Sequence, residues 1–341
     1  MPISSIIGIK GTGVYFPRKK VNVEHIAKTY GIDHSRIIKD HGVKEIHVAS
    51  EHETEFYMAT QAVKDALKDA KLSPKNIDLM IYCKGLTVKK SAAPSSSILI
   101  DELQAYKAYG FDLDAGFIGG LMGIHIANDI ILNNPNINNA IVVASQEFDE
   151  IYLFDKSSRV KNMIFGDGAA AVVLSKQGAN NSILSSTFII DNYSGFVESL
   201  IRKEFREKSI MKRIMHSFNS LPVVKDIDGN KVMIKAAERW VDNSYRAIDL
   251  AVKRINLDFN DINHFIKTQL SLKETEMLAK RLNIDKNKIF NASSEKGHLG
   301  QADILSNLHM ALKNIKMNNL DIIVLVAANY DCSSGAIVLR R

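Results

Sequence analysis

An internal repeat constrains this chain more than any other feature: three segments of the first half recur, in the same order, in the second. Asn76-Ile77-Asp78 leads into LMIYC as Asp261-Ile262-Asn263 leads into HFIKT. NNAIVVASQEF (138–148) and NNLDIIVLVAANYD (318–331) each follow a helical stretch, and GDGAAAVVLSK (166–176) matches SSGAIVLRR (333–341), a Gly turn feeding an apolar strand. Short apolar strands are common to all α/β chains, so the shared order carries the weight. It predicts two copies of one α/β unit, a first half over 1–176 and a second over 177–341.

Within that frame, residues 58–71 carry apolar positions at helical spacing, with Pro74 expected to end the helix before a buried strand at 77–83. Further strands are expected at 140–145 and 169–175, with a helix near 117–133. No apolar run reaches eighteen residues and the first residues lack a basic region followed by a long apolar core, so membrane-spanning and secretory readings are set aside. Two cysteines are too few for a disulfide scaffold, and the expected compartment is the cytoplasm. The net charge of +6 is spread along the chain rather than clustered with aromatics, which argues against nucleic acid and leaves an acidic protein or a phosphorylated ligand as partner. Ten histidines show no metal-ligand spacing, His47 and His52 beside Glu51 and Glu53 read as a polar loop, and no metal site is expected.

If the halves are copies, residues 113–132 correspond to 295–312, each a Gly-containing turn opening a mostly apolar helix. Helix N-termini present unpaired N–H groups and partial positive charge, so two facing ones suit a developing oxyanion or a thiolate. Chemistry is expected there.

The chain resembles β-ketoacyl-acyl carrier protein synthase III of the thiolase superfamily through an ordered set of landmarks. These are IKGTGVYFP (9–17), HGVKEIHVAS (41–50), AAPSSS (92–97), FDLDAGFIGG (111–120), FGDGAAAVVL (165–174), DGNKVMIKA (228–236) and GHLGQADI (297–304), with FGDGAAAVVL the most specific. The resemblance implies the α/β thiolase-like duplicated αβαβα five-layer fold, a dimer and an acyl-transfer or Claisen-condensation ancestry.

That family's chemistry needs a Cys nucleophile at the start of the central helix, where the dipole lowers the thiol pKa, together with a His and an Asn that bond the thioester carbonyl. Carried over position by position, the resemblance puts Phe117 at the Cys, Thr268 at the His and His298 at the Asn. The flanking landmarks fix the register at 111–112, 269 and 297. Phe117 cannot accept an acyl group and Thr268 has no useful basicity near pH 7, so Cys-dependent condensation is not expected. Where the family has a bare Gly-Gly-Gly loop, this chain has Asn329-Tyr330-Asp331, which removes or re-aims a second oxyanion donor.

Each substituted position has two readings. Phe117 is core filling or a ligand-pocket floor; His298 is a rebuilt general base or a structural, hydrogen-bonded His. Cys332 is a relocated nucleophile paired with His298 or a buried inert thiol, and Asp114 and Asp331 either orient His298 or complete turns. On the ligand-facing side the resemblance gives Arg159 a contact near the nucleotide of coenzyme A and gives Lys273 the place of an Arg facing the carrier protein. Arg36 replaces an adenine-stacking Trp, Asp40 replaces a neighbouring Arg, and Ala93 replaces a Phe that crosses the dimer interface. The basic segment 198–220 is a tunnel-mouth or carrier contact, or a solvated helix.

The leading expectation is a ketosynthase III-like pseudoenzyme without the condensing triad, a non-condensing subunit in fatty-acid or polyketide-type acyl metabolism. It would pair as a homodimer, or as a heterodimer with an active ketosynthase III paralogue. Two alternatives stay open: an acyltransferase using a rebuilt site around His298, and a binding module for an acyl thioester or an acyl carrier protein. No tightly bound cofactor is expected; coenzyme A or phosphopantetheine thioesters are the candidate ligands.

Overall fold

The repeat in the sequence becomes a repeat in topology. The computed structural model describes residues 7–30, 33–85, 93–148, 164–191, 229–268, 271–329 and 331–341. The first half runs β1 (Gly8–Tyr15), β2 (Lys19–Asn22), α1 (Val23–Tyr30), α2 (His34–His41), β3 (Glu45–Val48), α3 (Glu55–Ala70), β4 (Leu79–Cys83), α4 (Ser95–Glu102), β5 (Tyr109–Leu113), α5 (Gly119–Asn133), β6 (Asn139–Gln146) and β7 (Gly168–Ser175). The second runs β8 (Asn181–Ile189), α6 (Gly229–Lys253), β9 (His264–Lys267), α7 (Leu272–Leu282), β10 (Ile289–Phe290), α8 (Asp303–Asn314), β11 (Ile322–Ala328) and β12 (Ser334–Arg340).

Strand order is β10-β9-β11-β12-β8-β1-β7-β6-β4-β5. On one side β4 lies parallel between β5 and β6, and β7 lies antiparallel between β6 and β1. On the other, β9 lies parallel between β10 and β11, and β12 lies antiparallel between β11 and β8. The two sides join where β1 meets β8 at Gly8 and Ile9.

The strands read as continuous apolar runs because both faces are covered. Leu79, Ile81 and Cys83 of β4 point into a central core with α5 and α8, while Met80 and Tyr82 point into an outer core with α3 and α4. In β11, Ile323, Leu325 and Ala327 face the same central core, and Val324 and Val326 face a second outer core with α6 and α7. Period-two alternation between cores thus builds five layers, helix-sheet-helix-sheet-helix.

Small devices recur with the strands. Asp78 accepts from the Asn138 and Asn139 N–H groups (2.8 and 3.1 Å), and its counterpart Asn263 accepts from Ile322 N–H (2.8 Å), so each sets the register of a strand pair. The seventh residue of each central helix is a histidine. His125 Nδ1 lies 2.9 Å from Ser186 Oγ on β8, and His309 Nδ1 lies 3.0 Å from Thr12 Oγ1 on β1. Each half's central helix is therefore pinned to the first strand of the other half.

Three local expectations change. Helix α3 ends at Lys71, which adopts φ 55° and donates to Leu67 and Lys68 carbonyls, so Pro74 opens the following turn rather than ending the helix. The stretch around His47 and Glu53 is not simply a polar loop. His47 lies on β3 and its Nδ1 is 2.6 Å from Pro17 O, while the buried Glu53 accepts from Tyr15 Oη–H (2.7 Å). His298 does not sit at a helix start; it precedes a short turn, Gly300–Ala302, that leads into α8. Arg159 and the segment 198–220 lie outside the described residues.

Candidate functional site

The two central helices begin face to face. A one-turn segment, Gly116–Ile118, precedes α5 and another, Gly300–Ala302, precedes α8. A Cβ on Gly120 would come within 2.5 Å of Gln301 O, so the approach of the two N-terminal turns requires glycine there.

Their surroundings are held by carboxylates within the sequence landmarks. Asp112 accepts from Ser95 and Ser96 N–H (2.8 and 2.9 Å), capping α4, and lies 3.2 Å from Lys84 Nζ. Asp167 accepts from Ala49 and Phe148 N–H (2.7 and 2.8 Å), tying two loops to the start of β7.

Phe117 lies within the first of these turns and is fully buried. Its N–H donates to Asn329 Oδ1 at 3.3 Å, so the orphan donor at this helix start is satisfied from inside the chain. Asn329 is itself fixed: its C=O accepts from Trp240 Nε1–H (2.7 Å) and from Cys332 N–H (3.0 Å). The Phe117 ring meets His298 edge-on at 4.7 Å, Phe165 stacks on His298 at 5.6 Å, and Phe148 packs on Phe165 at 4.3 Å.

His298 is held in extended pairing beside Phe165, donating its N–H to Ile164 O (2.8 Å) and accepting Gly166 N–H (3.1 Å). The turn before it needs Gly297, at φ 69°, where a Cβ would lie 2.8 Å from Ile164 O. Its Nδ1 faces Asp303 Oδ2 at 3.4 Å. Burial would raise the Asp303 pKa, but the Lys296 ammonium and His298 beside it hold the carboxyl well below the usual range. Lys296 donates to Asp303 Oδ1, and Asn307 Nδ2 bridges Asp303 Oδ2 (3.3 Å) to Lys267 O (2.8 Å). Lys267 is in turn paired with Glu274, also buried.

Thr268 is buried; its hydroxyl accepts from Ala328 N–H (3.3 Å) and its own N–H donates to Val326 O (3.0 Å). Cys332 lies beside α6, its C=O accepting from Asn243 Nδ2 (2.9 Å). Burial, with Asp191 and Asp331 adding to it, pushes the Cys332 thiol up to about 12, so at neutral pH it is a thiol and a poor nucleophile. Cys83 is buried and raised in the same way. Asp331 Oδ1 accepts from Ser333 N–H (2.8 Å), completing a turn, and Asp114 is exposed. Lys273 is exposed in the first turn of α7, Arg36 lies on α2, and Ala93 is exposed just before α4. The structure thus brings Phe117 and His298 together with Asn329 at the same turn.

Sequence reasoning passed over Lys296 and Asp303, and it named Asn329 as one of the side chains replacing a bare glycine loop without foreseeing its contact with Phe117 N–H. The two buried pairs share a spacing of seven residues, Lys267–Glu274 and Lys296–Asp303, but the same spacing recurs elsewhere in the chain, as at Lys71–Asp78 and Lys107–Asp114, and so does not mark them.

Residues 111–192 match the model of 3-oxoacyl-[acyl-carrier-protein] synthase III, and residues 252–341 match that of its C-terminal part. The chain belongs to the 3-oxoacyl-[acyl-carrier-protein] synthase III family. It is 28% identical to the β-ketoacyl-[acyl-carrier-protein] synthase III of Aquifex aeolicus over 97% of this chain and 98% of that one. It is 25% identical to the Wolbachia pipientis protein of the same name, again over 97% and 98%. The Aquifex aeolicus crystal structure superposes with TM-score 0.80 at 27% identity, covering 98% of this chain and all of that one. A priming β-ketosynthase from a polyketide pathway, 21% identical, shares the fold at TM-score 0.82 over 100% of this chain and 98% of its own. Among the described residues, no helix of this synthase III family member is long and apolar enough to cross a membrane.

Proposed function

We propose that this synthase III family member is a non-condensing subunit in fatty-acid or polyketide-type acyl metabolism. The observation that carries the reading is the internal occupation of the α5 start. A fully buried Phe117 fills the position that the family resemblance gives to the nucleophile, and Asn329 Oδ1 holds that residue's N–H. An acyl thioester would need both a nucleophile and that donor. Thr268, at the position the resemblance gives to the His, uses its hydroxyl on Ala328 N–H, and Cys332 is held as a thiol.

On this reading the chain pairs in the cytoplasm with an active paralogue or with itself, and any contact with coenzyme A, a phosphopantetheine thioester or a carrier protein passes through Arg159, Arg36 and Lys273. Co-expression with a paralogue that carries an intact Cys-His-Asn set, followed by native mass spectrometry and a condensation assay, tests it. A heterodimer whose activity depends on the paralogue's Cys alone supports the proposal. Condensation by this chain alone refutes it.

A second reading is favoured by a specific contact, the approach of His298 Nδ1 to the buried Asp303. A His oriented by a carboxylate is the arrangement of a general base, which fits an acyltransferase that carries an acyl group from a thioester to a hydroxyl or amine without an enzyme thioester. A thioester-binding module would keep ligand affinity without turnover.

A further inference from the structure

The second half carries a cleft that the central site does not use. Its volume is about 540 Å³, within the roughly 300–1,000 Å³ common for small-molecule sites. It lies at the Ile322 end of β11, the opposite end of that strand from Asn329. Arg340 of β12 pairs with Ser182 of β8, and alternation along β8 turns Leu184 to the same face, so a guanidinium stands beside an apolar side chain. Leu320, which also lines the cleft, is 70% exposed and adopts φ 74°, a conformation that strains a bulky apolar residue and that Asn or Gly takes readily. Its N–H donates to Arg341 O (3.0 Å), and Arg341 N–H donates to Asp321 O (2.9 Å), which ties the turn to the end of β12. The charge of the cleft is one-sided. Arg341 Nη1 donates to Asn181 Oδ1 (3.2 Å), while the Arg340 guanidinium has no hydrogen bond or ion pair among the described residues. No Asp or Glu lines the cleft among the described residues, and the neighbouring Asp321 carboxylate is turned onto Asn318 N–H (2.8 Å) and His264 Nε2 (3.1 Å).

We propose that this cleft binds a small amphiphilic anion, a carboxylate or phosphate carried on an apolar chain, with the anion at Arg340 and Arg341 and the chain against Leu184 and Leu320. A guanidinium stays charged throughout the neutral range and presents a planar fork of donors that matches either anion. A chain laid on Leu184 and Leu320 removes apolar surface from water on both sides of the contact. Leu320 keeps an apolar side chain at the rim at a cost in backbone strain, and a ligand's chain gives that position a use. Neither Phe117 nor His298 lines the cleft, so the site stands independently of the function proposed above.

Calorimetric titration of the full chain with octanoate, octyl phosphate, octanol, acetate and inorganic phosphate tests the site. Octanoate or octyl phosphate is expected to bind saturably, at least tenfold tighter than octanol, acetate or inorganic phosphate, and the tighter of the two identifies the anion. Its affinity is expected to fall at least tenfold in Arg340→Gln and at least fivefold in Leu320→Asn. Both variants are expected to fold, since Arg340→Gln breaks no ion pair among the described residues and Asn suits the backbone at position 320, where it should raise the melting temperature while affinity drops. Octanol binding as tightly as either amphiphile overturns the anionic part of the proposal, and acetate or phosphate binding as tightly overturns the apolar part. Absence of saturable binding overturns the site. So does affinity unchanged in Arg340→Gln or in Leu320→Asn, which would place the ligand elsewhere on the chain.

Discussion

Lys296 and Asp303 are the residues on which the centre of the molecule depends most. Removing one member of a buried ion pair leaves an uncompensated charge and costs about 3–5 kcal/mol, whereas replacing both with apolar groups of similar volume is often neutral. Lys296→Met is therefore expected to destabilise the chain by that amount in urea unfolding, and Lys296→Met with Asp303→Leu to recover most of it; equal losses in single and double variants would show that the pair is not the unit. The sign with pH follows from the carboxyl. Its folded pKa lies below its unfolded value of about 4, so its stabilisation is complete above about pH 4 and is lost as pH falls further. Gly116, at φ 58° and with Asn329 Oδ1 2.6 Å from a would-be Cβ, is the other sensitive position. Gly116→Ala is expected to cost about 1–3 kcal/mol through backbone strain and displacement of Asn329. Because Trp240 is the chain's single Trp and holds Asn329 O, a change in its emission would report the displaced loop. An unaltered emission and melting temperature would contradict the contact.

At the scale of elements, the His309 pin between α8 and β1 gives a pH dependence of its own. Burial lowers the His309 pKa, so the neutral ring is the folded form. Its contribution is fully present above the unfolded value of about 6.5 and is lost as pH falls below it. In His309→Gln the loss of urea midpoint between pH 7 and pH 5 is expected to be smaller than in the unaltered chain, and an unchanged slope would assign the dependence elsewhere. Elements were the most legible part of the sequence. The matched Asp78 and Asn263 segments, the strands at 140–145 and 169–175 and the helix near 117–133 follow from apolar runs between polar breaks, and all appear with small shifts at their ends. The end of α3 was misread because a lysine, not the nearby proline, takes the left-handed conformation, which side-chain type alone does not announce. The candidate site was legible as a place and as the meeting of Phe117 with His298. Its electrostatics were not, because Lys296, Asp303 and Asn329 are polar residues in turns, and only the folded chain shows that they are buried together.

For the whole molecule, the proposed reading separates the fold from the chemistry. Strand order, the paired central helices and the landmark carboxylates Asp112 and Asp167 maintain the architecture of the synthase III family, while the start of α5 is filled by Phe117 and capped by Asn329. On the proposed reading the frame is kept without the family's nucleophile, so that the chain presents a surface without turning over a thioester. Intact-mass spectrometry after incubation with short and medium acyl-coenzyme A, with free thiol counted in parallel, tests this claim most directly. The chain alone is predicted to gain no acyl mass and to release no thiol, with an acyl adduct forming only on the Cys of an added active paralogue. A stable adduct on this chain, at Cys332 or elsewhere, or condensation without a partner, would contradict the account.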